Sequence, residues 1–198
     1  MTNNIFKNNA QKYWDHKLPV VPVEVKGKKP LVKNWYTYHD KMPTVDTQQE
    51  WLEKYPDANI GLVLGEQSNL VFLDIDNTFI RKWLDRNIPI PYSACERYCN
   101  SFGGSVAFRF NGEQKTKSIV FEGGSPLHDL LDSKPYEAAV ELFGAGSLVV
   151  VPPSVHPNGK PYMWVGEPVW SSNTIPKLPD DYMEKASLVL KELNKRLK

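Results

Sequence analysis

Seven residues near the middle of the chain, Leu70-Val71-Phe72-Leu73-Asp74-Ile75-Asp76, constrain the fold more than any other stretch. The apolar run reads as a strand, and it ends in two carboxylates spaced by two. Strand side chains alternate faces, so Asp74 and Asp76 point the same way while Ile75 points oppositely, into a core. Two carboxylates on one face repel each other strongly in a partly buried site. Such a pair persists most easily when a divalent cation neutralises it. Oxygen donors suit Mg²⁺ or Mn²⁺, which keep waters and share substrate phosphates. Two ions of this kind clamp the attacking and leaving oxygens of a phosphoryl transfer. The plainer reading of the same residues is a solvated strand end with two surface acids.

The rest of the chain is strand-rich. Apolar runs at residues 18–25, 59–64, 69–75, 105–110, 118–121, 138–143, 147–151 and 161–165 read as strands, bounded by Gly, Pro and Asn. The short loops at 65–68 and 144–146 suggest that 59–64 with 69–75, and 138–143 with 147–151, form hairpins. Helices are expected over 5–16, 46–55, 77–87 and 180–197. The last is the best defined, with Tyr182, Ala186, Val189, Leu190 and Leu193 on one face. Residues 122–135 read as irregular. Strands in adjacent hairpins outnumber helices, which favours an α+β architecture, an antiparallel or mixed sheet with helices on one side.

A length of 198 residues suits one domain with at most a small appendage. We divide it into residues 1–165 and a Pro-rich linker with a C-terminal helix over 166–198, which can pack on the same domain. No apolar run is long enough for a membrane helix, and the polar, Asn-rich start does not read as a secretory signal. The two cysteines, Cys95 and Cys99, lack metal-ligand neighbours. A disulfide is not expected, and a reduced, cytoplasmic setting fits. A net charge of +1 argues mildly against a large nucleic-acid footprint, but 24 Lys and Arg residues leave room for a local basic groove.

Other candidate residues are weaker taken singly. Glu141 is an acid between apolar residues on a predicted strand, so it faces either solvent or a cleft. Pro152-Pro153 stops a strand and presents Ser154, His156 and Lys160 on a stiff turn that could donate to a triphosphate. It could equally be a structural turn. The basic turn Lys28-Lys29-Pro30, with Trp35 five residues on, is either a phosphate or template contact or a solvated tip whose Trp packs inward. Trp35 reads better as core. Arg109, Lys115 and Lys117 could line a groove for a DNA backbone or form an ordinary solvated face.

In this order, the pieces resemble the primase-polymerase domain at the N-terminus of phage and plasmid replication proteins, of the archaeo-eukaryotic primase superfamily. The resemblance runs from about Leu18 to Trp164. It rests on Gly27-Lys28-Lys29-Pro30 with Trp35, on Asn59-Ile60-Gly61-Leu62-Val63-Leu64-Gly65, and on Leu73-Asp74-Ile75-Asp76. It continues through Gly103-Gly104, Val140-Glu141, Val151-Pro152-Pro153-Ser154-Val155-His156 and Gly159-Lys160-Pro161-Tyr162-Met163-Trp164. It implies an RRM-like, mainly antiparallel catalytic sheet beside a smaller α/β unit. It also implies a DNA primase/DNA polymerase, a nucleotidyltransferase of DNA replication using two Mg²⁺ or Mn²⁺ ions. Asp74, Asp76 and Glu141 would be the catalytic metal ligands. Lys29, Arg109, Ser154 and His156 would bind the nucleotide. The implied partners are nucleoside triphosphates, a single-stranded DNA template and a replicative helicase domain or protein.

One departure stands out. The family usually carries a His on the strand after the paired glycines, contacting the triphosphate, and Val106 stands there. Strand alternation puts Arg109 on the face opposite Val106. The departure motivates one rival, a catalytically weakened nucleic-acid- or nucleotide-binding domain; a second rival is a different metal-dependent phosphotransferase or nuclease using the same three acids on another fold.

Overall fold

The computed structural model describes residues 4–75, 77–93, 95–98, 104–121, 123–130, 138–170 and 175–198. Asp76, Cys99 and Gly103 fall outside them. The described chain forms two antiparallel sheets. A three-stranded sheet has the order β1 (Val20–Val23), β2 (Asn59–Val63), β8 (Leu148–Val151). A six-stranded sheet has the order β6 (Lys117–Val120), β7 (Ala138–Phe143), β3 (Leu70–Ile75), β5 (Gly104–Arg109), β4 (Cys95–Tyr98), β9 (Met163–Gly166). The strand carrying Asp74 is thus interior, and it is buried along its length except at Asp74 itself.

The helices follow their caps and apolar faces. Thr44 accepts from the Thr47 N–H at 3.2 Å and starts α2 (Val45–Lys54). Asn77 accepts from Phe79 N at 2.9 Å and Ile80 N at 3.0 Å, so α3 (Thr78–Asn87) begins directly after the acidic strand. α5 (Tyr182–Arg196) buries Tyr182, Met183, Ala186, Leu190 and Leu193, the face legible in the sequence apart from Met183 and the half-buried Val189. α1 (Ile5–Asp15) buries Phe6, Ala10, Tyr13 and Trp14. A short helix, α4 (Pro126–Leu130), lies in the stretch expected to be irregular. Among the described residues no helix is long and apolar enough to cross a membrane.

Among the described residues two large apolar cores result, with a small third one at Val23, Val150 and Tyr162. Leu73, Ile75, Val106, Phe108, Val140 and Leu142 pack with Ile80 and Leu84 of α3 and the buried face of α5, so α5 packs on the six-stranded sheet. The opposite face of that sheet, at Leu70, Phe72 and Ala107, shares a core with β1, β2, β8, α1 and Trp51. The small sheet therefore covers only part of this face. Trp35 packs half-buried against the same core, as its sequence context suggested.

The two expected hairpins are not there. β2 pairs with β1 and β8, whereas β3 pairs with β5 and β7. Likewise β7 belongs to the large sheet and β8 to the small one. Each short turn carries the chain from one sheet to the other. The two turns lie side by side: Leu64 N donates to Ser147 O at 2.9 Å, and Gly146 N to Leu64 O at 3.0 Å. A Cβ on Gly144 would lie 2.4 Å from the Gln114 carbonyl oxygen, so only glycine fits this crossing. Loop length cannot tell a hairpin from a crossover when both flanking strands are apolar throughout.

Candidate active site

The register of the large sheet builds the site. Asp74 stands directly opposite Glu141 on β7 and Ser105 on β5. Ser105 stands opposite Arg97 on β4, and Glu141 opposite Ser118 on β6. Directly opposed residues share a face, with Cβ atoms about 4.5–5.5 Å apart. Ser118, Glu141, Asp74, Ser105 and Arg97 thus form one polar row across five strands, beside the part of the sheet covered by the small unit.

Hydrogen bonds run along the row on either side of the Asp74–Glu141 pair. Ser105 Oγ donates to Asp74 Oδ1 at 2.5 Å and accepts from Arg97 Nη2. Arg97 Nη2 lies 3.9 Å from Asp74 Oδ1. Arg97 Nη1 donates to the Val150 carbonyl of β8 at 3.0 Å, tying the two sheets together. Ser118 Oγ donates to Glu141 Oε1 at 3.4 Å. Burial, and then the neighbouring Asp74 charge, push the Glu141 carboxyl above its ordinary pKa; Ser118 and Lys28 pull the other way.

The raised pKa makes a stability prediction. The folded state holds the Glu141 proton more tightly than the unfolded state does. This group's contribution to stability is fully present below its ordinary pKa of 4.5 and is lost as pH rises through the raised folded value. Metal-free thermal melts across the acidic range should show that loss in the native protein and not in Glu141→Gln. Melts of equal pH dependence in the two proteins would contradict it.

Two facing carboxylates, one with its charge disfavoured, suit a divalent cation, which would relieve the repulsion. Asp74 and Glu141 are the described residues able to hold one. Asp76, two residues along from Asp74, lies outside the described residues. No group of three or more His, Cys, Asp or Glu side chains able to hold a metal occurs among the described residues.

The expected nucleotide ligands separate. His156 reaches the site indirectly, its ring against Tyr162 at 5.5 Å between centroids, and Tyr162 carries the Arg97 guanidinium 5.1 Å from its own ring centre. Lys29 is exposed on the basic turn beside Lys28. Ser154 is fully buried. Its Oγ accepts from Ile60 N at 2.8 Å and donates to Ile60 O at 3.4 Å, so the hydroxyl clamps β2 instead of opening on the cleft. Arg109 lies on the same face as Ser105 but four residues along β5, opposite Leu70, about 13 Å away at strand spacing. Val106 points into the helix-covered core at 3% exposure, away from the acids.

Sequence reasoning missed Arg97, Ser105 and Asn59. β4 follows a proline-rich stretch and lacks apolar alternation, so neither the strand nor Arg97 on it was visible. Asn59 is fully buried. Its Nδ2 donates to Val155 O at 2.8 Å and to Gly27 O at 3.3 Å, while Oδ1 accepts from Val155 N at 2.9 Å. One side chain thereby fastens both the basic turn and the His156 loop to β2. Cys95 is a buried free thiol.

No curated protein matches the chain. The family model of the bifunctional DNA primase/polymerase N-terminal domain, Prim-Pol, matches residues 10–181, a span that includes the whole polar row and both sheets. The chain belongs to that family, whose function is of the DNA primase/polymerase type.

Proposed function

We propose that this domain performs metal-dependent nucleotidyl transfer from nucleoside triphosphates to a 3′-hydroxyl on a single-stranded DNA template. The observation that carries the reading is the direct cross-strand opposition of Asp74 and Glu141, with the charge of Glu141 disfavoured by burial and then by its neighbour. Asp74, Glu141 and Asp76 would hold two Mg²⁺ or Mn²⁺ ions. When bound, these supply Lewis-acid activation of the hydroxyl and charge stabilisation of the leaving pyrophosphate. The chain's own contribution is orientation and charge. Ser105 fixes the Asp74 carboxylate, Ser118 orients Glu141, and Lys28 and Lys29 place cations at the lip. His156 backs the cleft through Tyr162. Ser154 and Asn59 hold the loops that carry these groups. The setting is the cytoplasm of a host cell during phage or plasmid replication, in company with a replicative helicase.

Incubation with a single-stranded template, nucleoside triphosphates and Mn²⁺ should give extended or newly made oligonucleotides, and EDTA should remove all product. Degradation of the DNA without nucleotides would instead mark a nuclease. Binding without any incorporation would favour a weakened binding domain.

A further inference from the structure

We infer that Arg97 is the principal protein ligand of the incoming nucleotide's triphosphate, filling from β4 the cationic role that no imidazole occupies on β5. This rests on the nucleotidyl-transfer reading above. Four observations on the molecule carry it.

The first is position. Arg97 sits in the polar row one strand beyond Ser105, with a guanidinium nitrogen 3.9 Å from the Asp74 carboxylate. A group bridging cations held at Asp74 and Glu141 would meet it next. The second is unspent donor capacity. A guanidinium carries five N–H groups. One on Nη1 goes to the Val150 carbonyl and one on Nη2 to Ser105. Nε is buried and has no hydrogen-bond partner among the described residues. A buried donor without a partner is costly to keep, and it is tolerated where a ligand completes it.

The third is rigidity. The side chain is only 13% exposed. It is anchored to both sheets and backed by the Tyr162 ring 5.1 Å from the guanidinium carbon. The fork is therefore held before any ligand arrives, which suits bidentate recognition of phosphate. The fourth is the alternative cations. Arg109 is four residues away along β5. Lys28 and Lys29 are exposed on the basic turn. Val106, whose position in the resemblance carries an imidazole, faces the core.

Nothing on the base or sugar side enters this argument, so the predicted signature is specific to phosphate number. Isothermal titration in Ca²⁺, which holds the nucleotide without turnover, would compare dGTP with dGMP. In the native protein the triphosphate should bind more tightly. In Arg97→Ala the triphosphate-to-monophosphate ratio should fall by about tenfold or more, as loss of a charge-assisted fork implies. Monophosphate and single-stranded DNA affinities should stay within about twofold, because neither uses the fork. Arg97→Lys, which keeps the charge but loses the fork, should fall between the two. Because Arg97 also ties β4 to β8, Arg97→Gln carries the test if the alanine variant does not fold. An unchanged ratio in a folded variant overturns the assignment while leaving the nucleotidyl-transfer reading standing. Absence of any triphosphate preference in the native protein overturns both.

Discussion

Asp74→Asn is expected to lower nucleotide incorporation by about 10³-fold or more, roughly 4 kcal/mol of transition-state stabilisation, while leaving the fold intact. The asparagine oxygen still accepts from Ser105 Oγ, so the β3–β5 contact survives. What disappears is a full negative charge at the point where cations must sit between Asp74 and Glu141. The substitution also removes one of the causes that raise the Glu141 pKa, so the Glu141 carboxyl should titrate lower in the variant. Single-turnover incorporation in Mn²⁺, with circular dichroism as the control for folding, would measure both the loss and its origin. Incorporation within about tenfold of the native rate would remove Asp74 from the metal-holding set, because loss of a single well-placed electrostatic group costs about 10²-fold or more.

The largest stability effect is expected from Phe72→Ala. Phe72 is fully buried on the face of β3 that carries Asp74 two residues later, in the core shared by the two sheets, with its ring 6.4 Å from that of Trp164. Truncating a buried Phe costs about 3–5 kcal/mol because the cavity collapses only in part. For a domain of this size that corresponds to a fall in Tm of about 10 °C. The cavity opens beneath the polar row, so incorporation should fall below what lost stability explains at temperatures where the variant is folded. Leu190→Ala, in the helix-covered core, should lose about 2–5 kcal/mol without that extra loss. A melt unchanged by Phe72→Ala would mean that the two sheets do not share this core. Equal activity losses in the two variants at matched stability would mean that the row does not depend on it.

Much of this was legible from residue order. The apolar run into Asp74 declared a strand, and only the sheet order showed it to be interior. The spacing of Tyr182, Ala186, Leu190 and Leu193 declared a helix through periodicity, which is a local effect. The loops at 65–68 and 144–146 were misread because hairpins and sheet-to-sheet crossovers use the same short Gly-containing turns. Only the identity of each strand's partners separates them. Ser154 read either as a donor for a ligand or as part of a structural turn, and the choice depends on Ile60, 94 positions away.

The local chemistry of this protein was thus written in its sequence: an acid at the end of an apolar strand, an acid inside another apolar strand, a basic turn and a proline-stiffened loop. Tertiary structure decided which of these meet. The antiparallel register put Glu141 and Ser105 on either side of Asp74 and turned Val106 away from them. The joining of the two sheets brought Arg97 to the acids and to Val150. Register and sheet packing are set by the sum of many distant apolar contacts, so no short segment encodes where such a cation will stand.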